Sequence, residues 1–121
     1  KQSTGWKDLF NGIKIMIYQV AILSDWEGQE LSAEFKPPGY EVEGFIHCCT
    51  RDQLSGVIER YYSNYTDFLL LHIDESRLNA TVKYEKSTSE ELFPHVFGPI
   101  NKESIIRVTR ELINDWIGKN R

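Results

Sequence analysis

The sequence predicts an α+β fold, and three observations carry that prediction. Short β-branched and aromatic runs outnumber helical stretches. The two kinds of segment do not alternate as a doubly wound α/β sheet requires. The clearest helical stripe, within residues 50 to 62, is followed by several strand-like runs.

Each element has its own local reason. Ile15 to Ile22 is β-branched and apolar on both faces, which predicts a central strand. Ser24 is placed to cap a short helix to about Gln29, with Glu27 completing a capping box. Pro37-Pro38-Gly39 predicts a turn. Glu43 to Cys49 reads as a strand. Thr50 is the expected cap of the main helix, with Gln53 three residues on, and Leu54, Val57, Ile58 and Tyr61 as its buried stripe. Phe68 to Ile73, Val82 to Lys86, Leu92 to Phe97 and Ile105 to Thr109 read as strands. Glu111 to Ile117 is the expected closing helix, with Leu112, Trp116 and Ile117 inward and Gly118 as C-cap.

A chain of 121 residues fits one domain with a real core. Residues 16 to 121 are taken as that domain, and residues 1 to 15 as an N-terminal extension or remnant in which Trp6, Leu9 and Phe10 keep helical spacing. The net charge of -4 argues against nucleic acid as the main partner, because phosphate contact needs a basic face. No apolar run reaches the length of a membrane span. The two cysteines, Cys48 and Cys49, are adjacent and offer no disulfide framework, so a reducing, cytoplasmic setting is expected.

Chemistry concentrates around two histidines. His47 lies in Glu43-Gly44-Phe45-Ile46-His47-Cys48-Cys49-Thr50, and His95 in Leu92-Phe93-Pro94-His95-Val96-Phe97-Gly98-Pro99. Histidine changes charge near neutral pH and can donate, accept or ligate. On a strand, Glu43, Phe45, His47 and Cys49 share one face, while Ile46 and Cys48 suit the core. His47 precedes a capped helix, whose positive end attracts anions and would favour the Cys49 thiolate. The competing reading is a core histidine with its hydrogen bonds satisfied. Phe93, His95 and Phe97 share a face, which suits either a flat ligand or an ordinary core edge. Glu90 and Glu91 are the nearest acid or base candidates to His95. His72 is expected to be structural, oriented by Asp74. His47, Cys49 and His95 match no zinc spacing, so no metal is expected.

Taken in order, these motifs resemble the domain of unknown function 952 family. Ile17-Tyr18-Gln19-Val20, Pro37-Pro38, Glu43 to Thr50, Tyr61-Tyr62, Leu71-His72-Ile73-Asp74, Leu92 to Pro99 and Arg107-Val108 follow its pattern. That family is similar in fold to ADP-ribosyltransferases, which implies a small split, mostly antiparallel β core with flanking helices, clamping NAD. The resemblance implies a pocket for a small nucleotide-like ligand between the first strand, the His47 strand and the His95 strand. In that pocket His47 would contact ribose or phosphate, with Gln19 assisting. Tyr18, Tyr40 and His95 would line the base site, and Thr50 and Phe93 complete the cofactor-binding candidates. Glu43 or Glu91 would stabilise an oxocarbenium-like centre, with His47 and His95 completing the catalytic candidates. NAD would be the substrate of ADP-ribosyl transfer or hydrolysis. Gln19 stands where the family pattern has histidine, and an amide cannot become a cation. That substitution leaves two other readings open, a non-catalytic binding module and a structural or interaction domain.

Overall fold

The computed structural model describes residues 14–87 and 89–117. The expectations placed on Trp6, Leu9, Phe10 and Gly118 lie outside the described residues. The strands are β1 (Met16–Ala21), β2 (Glu34–Phe35), β3 (Ile46–His47), β4 (Asp67–Asp74), β5 (Thr81–Lys86), β6 (Leu92–Phe97), β7 (Ile100–Asn101) and β8 (Ile105–Leu112). Among the described residues the α-helices α1 (Leu23–Glu27), α2 (Tyr40–Glu43) and α3 (Leu54–Tyr61) flank them.

The α+β expectation holds, and the core is split. One antiparallel sheet has the order β1-β4-β8 and the other β3-β6-β5, with β2 and β7 paired separately. Among the described residues, one isolated bridge ties the two larger sheets together. Tyr18 N–H donates to Cys49 O at 2.8 Å, and Cys49 N–H returns to Tyr18 O at 2.9 Å.

Alternation along β1 feeds two apolar clusters. Ile17 and Ala21 pack with Leu69, Leu71, Ile46, Cys48 and Val96 on one side. Tyr18 and Val20 pack with Phe68, Leu70 and Phe93 against Leu54 and Ile58 of α3 on the other. Burial on both faces explains why β1 and β4 read as nearly continuous apolar runs. Among the described residues no helix is long and apolar enough to cross a membrane.

Several local expectations are corrected. α1 begins at Leu23, with extended Ile22 at its cap position (φ -83°, ψ 138°), so Ser24 lies inside the first turn and caps nothing. Glu43 to Cys49 is not one strand: Glu43 ends α2, Gly44 turns the chain at φ 82°, and pairing starts at Ile46. Tyr61 is 69% exposed and leaves the buried stripe of α3. Among the described residues, 111–117 do not form the expected closing helix. β8 continues through Leu112, which pairs with Asp67, and a 3-10 turn follows over Ile113–Asp115. The Arg110 guanidinium meets the Asp67 carboxylate at 2.6 Å across the same strand pair. Ile113, not Leu112, enters the core, and Trp116 and Ile117 still pack against it. The expected capping box of the main helix does form, with Thr50 N–H donating to Gln53 Oε1 at 2.9 Å.

Candidate functional site

The β3–β6 pair builds the centre of the site. The register places His47 directly opposite His95 and Ile46 opposite Val96. Ile46 and Val96 are anchored in the core, which turns both imidazoles to the other face of the sheet. The ring centroids of His47 and His95 are 5.2 Å apart with planes at 78°. Phe45 caps the pair, 4.7 Å from His47 and 4.3 Å from His95, and reaches Phe97 at 5.3 Å. His95 is thus covered by Phe45 from the neighbouring chain segment.

Each imidazole has its own carboxylate. Gly44 terminates α2, its N–H bonded to Tyr40 O at 2.7 Å, and the turn brings the Glu43 carboxylate onto His47 Nε2. His95 Nδ1 lies 2.8 Å from Glu85 Oε1. Glu85 comes from β5, diagonal to His95, whose register partner is Lys83. Sequence reasoning missed Glu85. The alternation of β5 and β6 carried a signal, but using it required knowing the register.

The two histidines differ in setting. The His47 side chain is 63% exposed, so the core reading fails for it. The His95 side chain is 9% exposed.

A cleft of about 980 Å³ opens beside this pair. Tyr18, Gln19, His47, His95 and Phe93 line it, with Glu43 at its edge. Arg60 and Lys86 bring cations to the same wall, and Tyr61 and Tyr62 bring aromatic rings. A smaller lobe of about 270 Å³ is lined by Tyr40, Tyr65, Phe45 and Asp25, and shares Gln19, Val20, Glu43, His47 and Tyr62 with the larger one. Gln19 is buried between them. Its Nε2 donates to Val20 O at 3.2 Å, and its Oε1 accepts from the Cys48 thiol at 3.5 Å.

The structure therefore gathers Tyr18, Gln19, Tyr40, Glu43, His47, Phe93 and His95 around one two-lobed cleft. Two candidates lie elsewhere. Thr50 caps the main helix and lines neither lobe. Glu91 is exposed in the β5–β6 connection, where its carbonyl accepts from Ser87 N–H at 3.0 Å, and it also lines neither lobe. Arg60 and Lys86 were not foreseen, because single cations in polar stretches carry no pattern of their own.

The thiols and His72 also depart from expectation. Burial pushes the Cys49 thiol up to about 12, and burial, then its neighbour Cys49, also hold the Cys48 thiol well above its ordinary value. Desolvation outweighs any pull from the helix end, so Cys49 is held as a thiol. His72 Nε2 lies 3.0 Å from Thr109 Oγ1 on β8, while Asp74 Oδ1 accepts from Ser76 N–H at 3.1 Å and caps the next turn. Burial and the Arg107 guanidinium lower the pKa of His72.

A family model described as "Protein of unknown function (DUF952)" matches residues 20–108, most of the chain. The chain belongs to that family. The DUF952 match begins at Val20, one residue past Gln19, and takes in both histidine motifs and the first half of β8. The crystal structure of protein CC0527 from Caulobacter crescentus is similar to this DUF952 chain with a TM-score of 0.72. Identity is 21%, over 78% of this chain and 84% of that one. The solution structure of CC0527 gives a TM-score of 0.67 at 21% identity, over 78% and 83%. At that identity the likeness concerns the fold. No curated protein matches the chain.

Proposed function

We propose that this chain binds NAD or a related nucleotide in the two-lobed cleft, within a core of the ADP-ribosyltransferase kind, and that transfer or hydrolysis of ADP-ribose is the chemistry served. The observation that carries the reading is the convergence of Gln19, His47 and His95 on one cleft of about 980 Å³. That volume lies at the upper end of ordinary ligand pockets, as a dinucleotide needs. Arg60 and Lys86 suit phosphates, and Tyr61, Tyr62 and Phe93 suit a flat base. Tyr18 and Tyr40 extend the aromatic lining into both lobes. Glu43, held beside His47, offers negative charge to an oxocarbenium-like centre. A cytoplasmic setting accords with two buried free thiols.

The test is incubation with NAD while nicotinamide release is followed. Release that falls by at least tenfold in His47→Ala supports transfer or hydrolysis. No release, with no NAD binding, contradicts the whole reading.

One observation favours a second reading, a non-catalytic binding module. The amide of Gln19 is engaged at both ends inside the protein, and it cannot exchange a proton near neutral pH. This reading predicts NAD binding without turnover, and no turnover gained in Gln19→His.

A further inference from the structure

His95 is a polar ring nearly sealed into the β3–β6–β5 sheet. Its side chain is 9% exposed. Phe45 covers one face at 4.3 Å, and His47 stands edge-on at 5.2 Å. Its Nδ1 is 2.8 Å from the Glu85 carboxylate. A carboxylate only accepts, so Nδ1 carries the proton and Nε2 of the neutral ring holds a lone pair. Among the described residues no protein donor reaches Nε2. A polar atom on so enclosed a ring ordinarily has a partner. The cleft that His95 lines is where a partner for it can enter.

We infer that Glu85 positions His95 as the general base of the cleft, with Nε2 accepting the proton of an attacking hydroxyl. This rests on the ADP-ribosyl reading above. The hydroxyl oxygen forms a bond to C1′ of the ribose. The C1′–N bond breaks, and its electron pair leaves with nicotinamide. The hydroxyl proton moves to Nε2, and Glu85 stabilises the imidazolium. Nicotinamide departs neutral, so the step needs no general acid. The rival bases are less suited: Cys48 and Cys49 are buried thiols, the Glu43 carboxylate is taken by His47, and His47, 63% exposed, lacks the enclosure of His95. Glu85 lines neither lobe of the cleft and acts through His95. That is the division between base and orienting carboxylate seen in acyl-transfer triads.

The test begins with nitrogen-15 spectra of the imidazoles in the free protein near pH 8. His95 is expected to show a pyrrole-like Nδ1 and a pyridine-like Nε2. Glu85→Ala is expected to shift the ring toward the Nε2–H form, and Glu85→Gln, which keeps an acceptor oxygen, to restore it. With NAD, Glu85→Ala should lower kcat by about 10²-fold or more while KM changes little. An Nε2–H ring in the wild type, or a tautomer indifferent to Glu85→Ala, overturns the inference whatever NAD does. The expected tautomer without any nicotinamide release overturns the proton step together with the transfer reading, and leaves the Glu85–His95 pairing standing.

Discussion

His47 on β3 and His95 on β6 are register partners with ring centroids 5.2 Å apart, and each imidazole meets a different carboxylate. Two backbone devices make this possible. The Ile46–Val96 pair anchors the opposite face of the ladder, and Gly44 folds Glu43 back over His47. The pair is asymmetric: one ring is solvated and the other nearly sealed.

That asymmetry predicts opposite costs of deletion. His47→Ala should lower stability by less than about 0.5 kcal/mol, as for an exposed side chain. His95→Ala removes a nearly buried ring, while Glu85, 44% exposed, stays solvated, and should cost about 2 kcal/mol or more. Urea unfolding of both variants checks the order. Equal costs would return His47 to the core.

The buried thiols give the protein an alkaline limit. Their folded pKa values are raised, to about 12 for Cys49, above the ordinary value near 8.5. Below about pH 8.5 both states hold the proton and stability is unaffected. Above it the unfolded chain releases the proton and the folded one does not, so stability falls with rising pH. Cys49 should cost about 1.4 kcal/mol by pH 9.5, and Cys48 acts in the same direction. Urea midpoints in Cys49→Ala and the wild type, compared between pH 7.5 and 9.5, test this. A parallel pH dependence in the two proteins would contradict it.

Two glycines should respond unequally to alanine. Gly44 has φ 82°, and a Cβ there would meet nothing within 4 Å. Gly44→Ala should therefore cost about 1 kcal/mol, from backbone strain alone. Gly98 has φ 154°, and its Cβ would stand 2.8 Å from Ala80 Cβ, a methyl that has no rotamer to escape into. Gly98→Ala should cost about 2–4 kcal/mol. Thermal unfolding ranks the two, and a larger loss at Gly44 would refute the packing argument.

The order of strands was legible where local pattern and tertiary environment agree. β1, β4 and β6 are bounded almost as their apolar runs imply, and Thr50 and Gln53 announce the start of the main helix. The misreadings arose where longer-range contacts overrode spacing. Leu112, Trp116 and Ile117 have helical spacing, yet pairing with β4 keeps the chain extended through Leu112, and only a 3-10 turn follows. Aromatic and β-branched residues from Glu43 onward read as a strand, yet Gly44 adopts a left-handed turn first. For the site, the two histidine motifs marked the right strands. The carboxylate of His95 was misplaced because Glu91 is near in sequence, while Glu85 is near in space across the β5–β6 ladder.

The most direct measurement of the central claim is an amide NMR titration of the full chain with NAD, extended into the millimolar range. Saturable shifts centred on Gln19, His47 and His95, spreading to Arg60 and Tyr62, are the predicted result. Spectra in which those residues do not respond at millimolar NAD would contradict the claim that this cleft is a nucleotide site.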